Sequence, residues 1–580
     1  MSVMNFQLPC ARYFALVLLS LVCAAHATHA QTGNDAAAAD LSARVDKLFA
    51  EWNRTDSPGY VVAVVRDGRI VHARGYGMAD LERDVKLSPA SVFDIGSTSK
   101  QFTAASILLL ARQGKLSLDD DVRKYLPEMR RYEAPVTIRH LLHHTSGIRD
   151  YLTLMTLADL SPVNDYTDQQ VIDLIARQEA LNFKPGDEHL YSNSGYLLLG
   201  IIVERASGKS LRAFADEHIF RPLGMKNTHF HDDTTEIVKN RALGYSPGPS
   251  GLHIDMSIFH VVGDGALMTT VEDLALWDAN FYDNKLGGGP DFVKAMLTTA
   301  KLNSGEPLEY ASGLLVGNYR GLPMVSHGGA WAGYRADMIR FPEQRLSVIC
   351  LSNFGGANPT QMAQRVAEIY LGGQMKAAPT PPTAQSAQAA PVNVVKLSAQ
   401  ELADKAGFYH DARAGSYRRI ELREGKLFYV RGVGNESELA PLTADRFRML
   451  NVPVEVEVIF KPAAANSPRR MEVVTNGGQP SVFESVEAVT PTAAQLAEYA
   501  GEYYSAELGA THRLYMKDGR LTFRIGYNPA EVAAEPTVKD EFRVRGLTLK
   551  FRRNAQNQVE AMSVNAGRVK NISFVKRRTT

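Results

Sequence analysis

Ser97 and Lys100 stand three residues apart in Gly96-Ser97-Thr98-Ser99-Lys100, at the head of an apolar run from Gln101 to Gly114. Phe102, Ala105, Leu108, Leu109 and Ala111 recur at three- and four-residue steps and Gly114 offers a C-terminal stop, so the spacing predicts a helix that begins at the serine. One helical turn then places both side chains on one face. A serine hydroxyl is a weak nucleophile until a base takes its proton. A lysine can be that base only where burial or nearby positive charge favours its neutral amine. Free N–H groups at a helix start add a means of holding an oxyanion. A bare S-x-x-K arises by chance about once or twice in a chain of this length, so the pair alone does not establish catalysis.

Two later stretches add to it. Tyr191-Ser192-Asn193 supplies a Y-x-N, and His327-Gly328-Gly329-Ala330 supplies an H-G-G, in the order that S-x-x-K enzymes use for their second and third motifs. With Pro135 to Ile148 and Gly263 to Met268 as flanks, the chain over about residues 45 to 371 resembles the serine β-lactamase and penicillin-binding protein superfamily. Within it the likeness is to the class C branch, whose second motif carries a tyrosine and whose third begins in some members with histidine. The resemblance implies that Ser97 forms an acyl-enzyme, that Lys100 and Tyr191 share the base and proton-shuttle work, and that Asn193, His327, Gly328 and Gly329 bind substrate. It also implies an oxyanion hole built from the N–H groups of Ser97 and Ala330. Which of Lys100 and Tyr191 takes the first proton stays open, because it depends on coupled titrations. Histidine at 327 is largely neutral near pH 7, so a substrate carboxylate should be held less well than by lysine. That favours amide, ester or aminopeptidase substrates over efficient β-lactamase or D-Ala-D-Ala carboxypeptidase activity.

The elements that must position these residues are legible in outline. Residues 36–52 read as an amphipathic helix, and Tyr60 to Val65 and Arg69 to Ala73 flank Arg66-Asp67-Gly68 as a hairpin. Thr269-Thr270-Val271-Glu272 reads as a capping box for a helix through Trp277. From Tyr310 to Phe354 short β-rich runs alternate with turns, which predicts an antiparallel sheet, and a last helix spans about Thr360 to Leu371. The fold class is therefore α+β for residues 31–371. The acidic loop Asp119-Asp120-Asp121 reads as helix caps, and His140, His143, His144, His229 and His231 lack a full ligand set at zinc-site spacing, so no metal is assigned.

Arg12, the apolar run Tyr13 to Ala25 and Ala-x-Ala-like sites ending at Ala27 and Ala30 predict a secretory signal peptide over residues 1–30, hence a periplasmic or secreted protein without an integral membrane anchor. Val22 before Cys23 ranks a lipid anchor below free release. Cleavage would remove Cys10 and Cys23 and leave Cys350, so no internal disulfide is expected. With 45% hydrophobic residues the 580-residue chain can bury two or three cores, and 64 basic against 63 acidic residues argue against a nucleic-acid surface.

Residues 372–396, with Pro379-Thr380-Pro381-Pro382, read as a linker. Beyond it the chain repeats: Leu402 to Tyr409 matches Leu496 to Tyr503 and Glu424 to Leu427 matches Asp518 to Leu521, with Gly407 to Gly501 and Gly425 to Gly519 both giving an offset of 94. Two small all-β, lipocalin-like barrel domains are expected, over 397–490 and 491–580. A catalytic domain followed by two such barrels resembles the bacterial D-aminopeptidases, in which a barrel loop limits access to the cleft.

The function expected is thus an exported serine hydrolase that needs no cofactor and acts through an acyl-enzyme on small amide or peptide substrates, D-amino-acid-containing peptides foremost (D-aminopeptidase-like or D-Ala-D-Ala carboxypeptidase-like), with peptidoglycan-derived peptides as one source of them. A class C-type esterase or β-lactamase, and a non-catalytic penicillin-binding-like sensor or wall-binding protein, remain alternatives.

Overall fold

The computed structural model describes residues 39–161, 164–377 and 395–577, apart from short loops at 412–415, 433–434, 453, 465–466, 476–477, 527 and 529. The predicted leader and most of the linker lie outside these residues. Two compact units are present, one extending to Lys376 and the other formed by Ala377–Thr580 together with Leu152–Ser161.

The first unit is built on a six-stranded antiparallel sheet in the order Leu315–Tyr319, Leu322–Trp331, Tyr334–Phe341, Leu346–Ser352, Tyr60–Arg66 and Arg69–Tyr76. The hairpin turns at Asp67 and Gly68, both at positive φ (51° and 74°), as a two-residue turn matched to strand twist requires. Tyr60 to Val65 is buried without interruption, so this run is a central strand covered on both faces rather than an alternating one. Val62 pairs with Cys350 and Val64 with Val348, and these residues pack with Val45, Phe49, Met362, Val366 and Leu371. The cover comes from the helix described over 39–48, whose α-helical part stops before the predicted end at Trp52 and passes into the turn Ala50–Trp52, and from the helix Pro359–Leu371. Each such valine contributes about 1.5–3 kcal/mol by its burial. The helix Val271–Asn280 packs against Tyr60–Arg66, and Arg340 Nε donates across the layers to Asp278 at 2.6 Å, both side chains buried. Cys350 is free and buried.

This helix starts one residue later than predicted. Thr269 belongs to the strand Leu267–Thr269, so Thr270 is the N-cap and accepts from the N–H of Asp273, whose own carboxylate accepts from Asn227 N–H and the Thr228 hydroxyl. The three aspartates of the acidic loop are each matched with a cation: Asp119 with Arg139, Asp120 with Lys124 and Asp121 with Arg123.

In the second unit, eight strands from Gly407–Asp411 to Ser481–Val486 close into an antiparallel barrel. Nine strands between Gly501–Ser505 and Val569–Lys576 form one sheet whose outer members, Val532–Ala533 and Glu535–Pro536, are separated in sequence by Ala534 alone, so the sheet curls back on itself. The repeat is structural. Each barrel follows a capped helical turn, Ala399–Ala403 or Ala493–Ala497, and starts on a glycine, Gly407 or Gly501, at φ 148° or 150°. The Tyr409 hydroxyl donates to Lys405 O at 2.8 Å, and Tyr503 repeats this bond to Tyr499 O at 2.7 Å.

Candidate active site

Ser97 lies in a 3-10 turn, Gly96–Ser99, and the α-helix proper runs from Lys100 to Arg112. The helix therefore begins at the lysine, not at the serine as predicted. Every residue from Lys100 to Leu110 is buried, as expected of a helix inside a domain rather than on its surface. Ser99 Oγ donates to Gly96 O at 2.5 Å, which tightens the turn, and within it Ser97 keeps partial exposure while its neighbours are buried.

Lys100 Nζ has three oxygen neighbours: Ser97 Oγ at 3.0 Å, Asn193 Oδ1 at 3.0 Å and the Asp264 carbonyl at 2.5 Å. The last two can only accept. Two N–H bonds are therefore committed to them, and the position left over points at the serine: a third N–H in an ammonium, a lone pair in an amine. Nζ also lies 5.0 Å from the Tyr191 ring centre.

The second motif is held from below. Asn193 opens the helix Asn193–Ser207, which packs along the lysine helix, and its N–H donates to Asp150 Oδ2 at 2.8 Å, a carboxylate at a helix N-terminus. His144, at φ 55°, accepts from Ser192 N–H through Nδ1 at 3.2 Å and packs on the Tyr191 ring at 4.2 Å. Burial holds its imidazole well below the usual range, helped by the nearby Lys100.

The third motif lies on the strand Leu322–Trp331, which pairs with Leu315–Tyr319 only as far as Ser326. Beyond that point the strand meets the turn bearing Ser97, and Thr98 Oγ1 donates to His327 O at 3.2 Å. Approach is closest at two glycines. A Cβ on Gly96 (φ 49°) would stand 2.7 Å from Ala330 N, and one on Gly329 would stand 1.9 Å from Ile95 O. His327 Nδ1 is 2.7 Å from Gly328 O, an acceptor, so Nδ1 carries the proton and Nε2 accepts from the Tyr310 hydroxyl at 3.0 Å. Burial, then the charge of Lys100, lowers His327 to about 4. The ring is therefore neutral at pH 7.

The sequence-predicted residues Ser97, Lys100, Tyr191, Asn193, His327, Gly328, Gly329 and Ala330 thus fall on three chain segments that meet. Against this arrangement, the family model described as Beta-lactamase matches residues 41–371. The chain belongs to the beta-lactamase family. Penicillin-binding protein 4* of Bacillus subtilis (strain 168) is 29% identical over 430 residues, covering 70% of this chain and 91% of that protein. The D-aminopeptidase of Brucella anthropi is 30% identical over 340 residues, covering 57% of this chain and 63% of its own length, so this beta-lactamase-family chain spans less than two thirds of that relative. Among solved structures, the octameric penicillin-binding protein homologue from Pyrococcus abyssi aligns with a TM-score of 0.54 at 25% identity, covering 77% of this chain and 99% of that one.

Sequence reasoning about this member of the beta-lactamase family did not find Tyr310, His144 or the Asp264 carbonyl. Asp264 lies in a stretch singled out only as a flank, and a carbonyl acceptor leaves no side-chain signature. The Asp264 carboxyl, raised to about 6 by burial, accepts instead from the Tyr151 hydroxyl at 3.2 Å.

Proposed function

We propose that the protein is a serine hydrolase that cleaves small amide or peptide substrates through an acyl-enzyme on Ser97, with D-amino-acid-containing peptides as the substrate class. The observation that carries this reading is the Lys100 amine, 3.0 Å from Ser97 Oγ with its other two hydrogen bonds committed to carbonyl oxygens. The amine takes the hydroxyl proton as Oγ bonds to the substrate carbonyl carbon. The resulting oxyanion is held by the N–H groups of Ser97 and Ala330, and the proton passes by way of Tyr191 to the leaving amine as the C–N bond breaks. Water then hydrolyses the ester. The relative named as a D-aminopeptidase supports the substrate class.

A fluorophosphonate probe is expected to label the wild-type protein and not Ser97→Ala; equal labelling of the two would overturn the assignment. A panel of D-amino-acid amides, D-Ala-D-Ala peptides, nitrocefin and short p-nitrophenyl esters then separates the peptidase reading from the esterase and β-lactamase alternatives. Export belongs to the same proposal: the mass of protein recovered outside the cytoplasm should correspond to a chain cut after Ala27 or Ala30. Among the described residues no helix is long and apolar enough to cross a membrane.

The neutral His327 sharpens the preference. Its Nε2 is an acceptor and offers a substrate carboxylate no charge, so acyl donors without a carboxylate beside the scissile bond are favoured. Protonation awaits about pH 4, so selectivity for carboxylate-bearing donors should stay flat between pH 8 and pH 5. His327→Lys is expected to raise the kcat/KM ratio of carboxylate-bearing to carboxylate-free donors about 10- to 100-fold, the worth of one charge-assisted hydrogen bond. An unchanged ratio in a folded variant would remove His327 from substrate recognition.

A further inference from the structure

One cluster of ligand-type side chains among the described residues has no part in this chemistry. His229 and His231 flank Phe230 on and just beyond the strand His229–Phe230, which pairs with Leu267 and Met268; the period of two puts both imidazoles on one face. His231 N–H donates to Ala266 O at 2.8 Å, which fixes the second backbone position. The chain then turns at Asp233, where Thr235 N–H meets the Asp233 carboxylate and Glu236 N–H meets its carbonyl, and returns the Glu236 carboxylate over the two rings. In sequence the histidine pair lacked a third ligand at zinc-site spacing. The turn supplies it.

His229 Nε2 lies 3.4 Å from His231 Nδ1, and Glu236 Oε2 lies 3.5 Å from the first and 3.8 Å from the second. Ligands about 2.0–2.1 Å from a tetrahedral ion stand about 3.3–3.4 Å apart, so the three atoms are within a few tenths of an ångström of the face of such a tetrahedron. Arg212 orients the carboxylate, donating to Glu236 Oε1 at 2.8 Å and reaching Oε2 at 2.8 Å and Asp232 Oδ1 at 2.9 Å. The Asp232 and Glu236 carboxylates offset that guanidinium. His231 is 4% exposed at its side chain, whereas His229 is 20% and Glu236 31% exposed, and Glu236 Oε2 itself is closed to solvent, so the three ligand atoms face a sheltered position at the edge of the interior.

We propose that His229, His231 and Glu236 form a binding site for a divalent transition metal, Zn²⁺ by its fit to two imidazoles and one carboxylate, with water as fourth ligand. The ion would tie the loop through Glu236 to the strand pair that contains Leu267 and Met268, three and four residues beyond the Asp264 carbonyl that accepts from Lys100.

The test uses the full mature chain, stripped with EDTA, dialysed and titrated with ZnCl2. About one zinc per chain should remain by elemental analysis after desalting, and the melting temperature should rise by about 3–6 °C at zinc about 100-fold above Kd. Glu236→Gln and His229→Gln should each hold less than about 0.2 zinc per chain and lose the shift, while keeping fluorophosphonate labelling in EDTA. Glu236 is partly exposed, so its variant keeps the comparison available if the histidine variant fails to fold. Less than about 0.2 zinc per wild-type chain at saturation, or wild-type zinc content in a folded Glu236→Gln, would overturn the site.

Discussion

Lys100→Ala is expected to slow acylation of Ser97 by about 10²- to 10⁴-fold, the range that a positioned general base contributes. Its amine touches the nucleophile, the Asn193 amide oxygen and the Asp264 carbonyl, so the loss should appear in kcat with little change in KM. The variant also strands two buried acceptors at a cost of about 1–3 kcal/mol each, which lowers the melting temperature without unfolding the domain. Tyr191→Phe should lose less, because the lysine still faces Oγ and only proton delivery to the leaving group is impaired. Stopped-flow burst rates with an activated p-nitrophenyl ester separate the two. A near-normal burst in folded Lys100→Ala would mean that Tyr191 takes the first proton.

The lysine's neighbours show where sequence reasoning reaches and where it stops. Ser97 and Lys100 are three residues apart, so the contact between them follows from local geometry, and it survives although the α-helix starts at Lys100 instead of the serine. Tyr191, Asn193 and His327 could be read only as motifs in the right order; no periodicity says that residues 93 and 227 positions beyond Lys100 return to it. Tyr310 was not singled out and His144 was read only within the Pro135 to Ile148 flank and as an incomplete metal ligand, because their roles are to hold the His327 ring and the Tyr191 ring, and aromatic residues are common in any core. The barrels were legible for a different reason. A repeat carries its own internal check, and the 94-residue offset recurs in the positive-φ glycines 407 and 501 and in the hydroxyls of Tyr409 and Tyr503. Glu236 shows the converse: a ligand set completed by a turn has no fixed spacing to search for.

Gly329→Ala is expected to lower kcat/KM by at least about 10²-fold, the cost of misplacing a reacting group by about 1 Å, whereas Gly328→Ala should stay within about threefold of wild type. The two glycines are adjacent on one strand, and their side-chain directions alternate. A methyl group at 329 would stand 1.9 Å from the Ile95 carbonyl oxygen and 2.9 Å from its carbon, backbone atoms with no rotamer to relieve the clash. The strand and the turn holding Ser97 must then move apart, which shifts Ala330 N–H relative to Ser97 and opens the gap that the proposed oxyanion hole bridges. At 328 the nearest atom is Asp337 Oδ2 at 3.3 Å, and a side chain can give by a few tenths of an ångström. Overpacking at 329 should also cost about 1–3 kcal/mol of stability, so both variants are compared by thermal melts below which activity is measured. Equal activity in the two, with both folded, would show that Ser97 does not depend on this strand for its position, and the oxyanion role of Ala330 would fall with it.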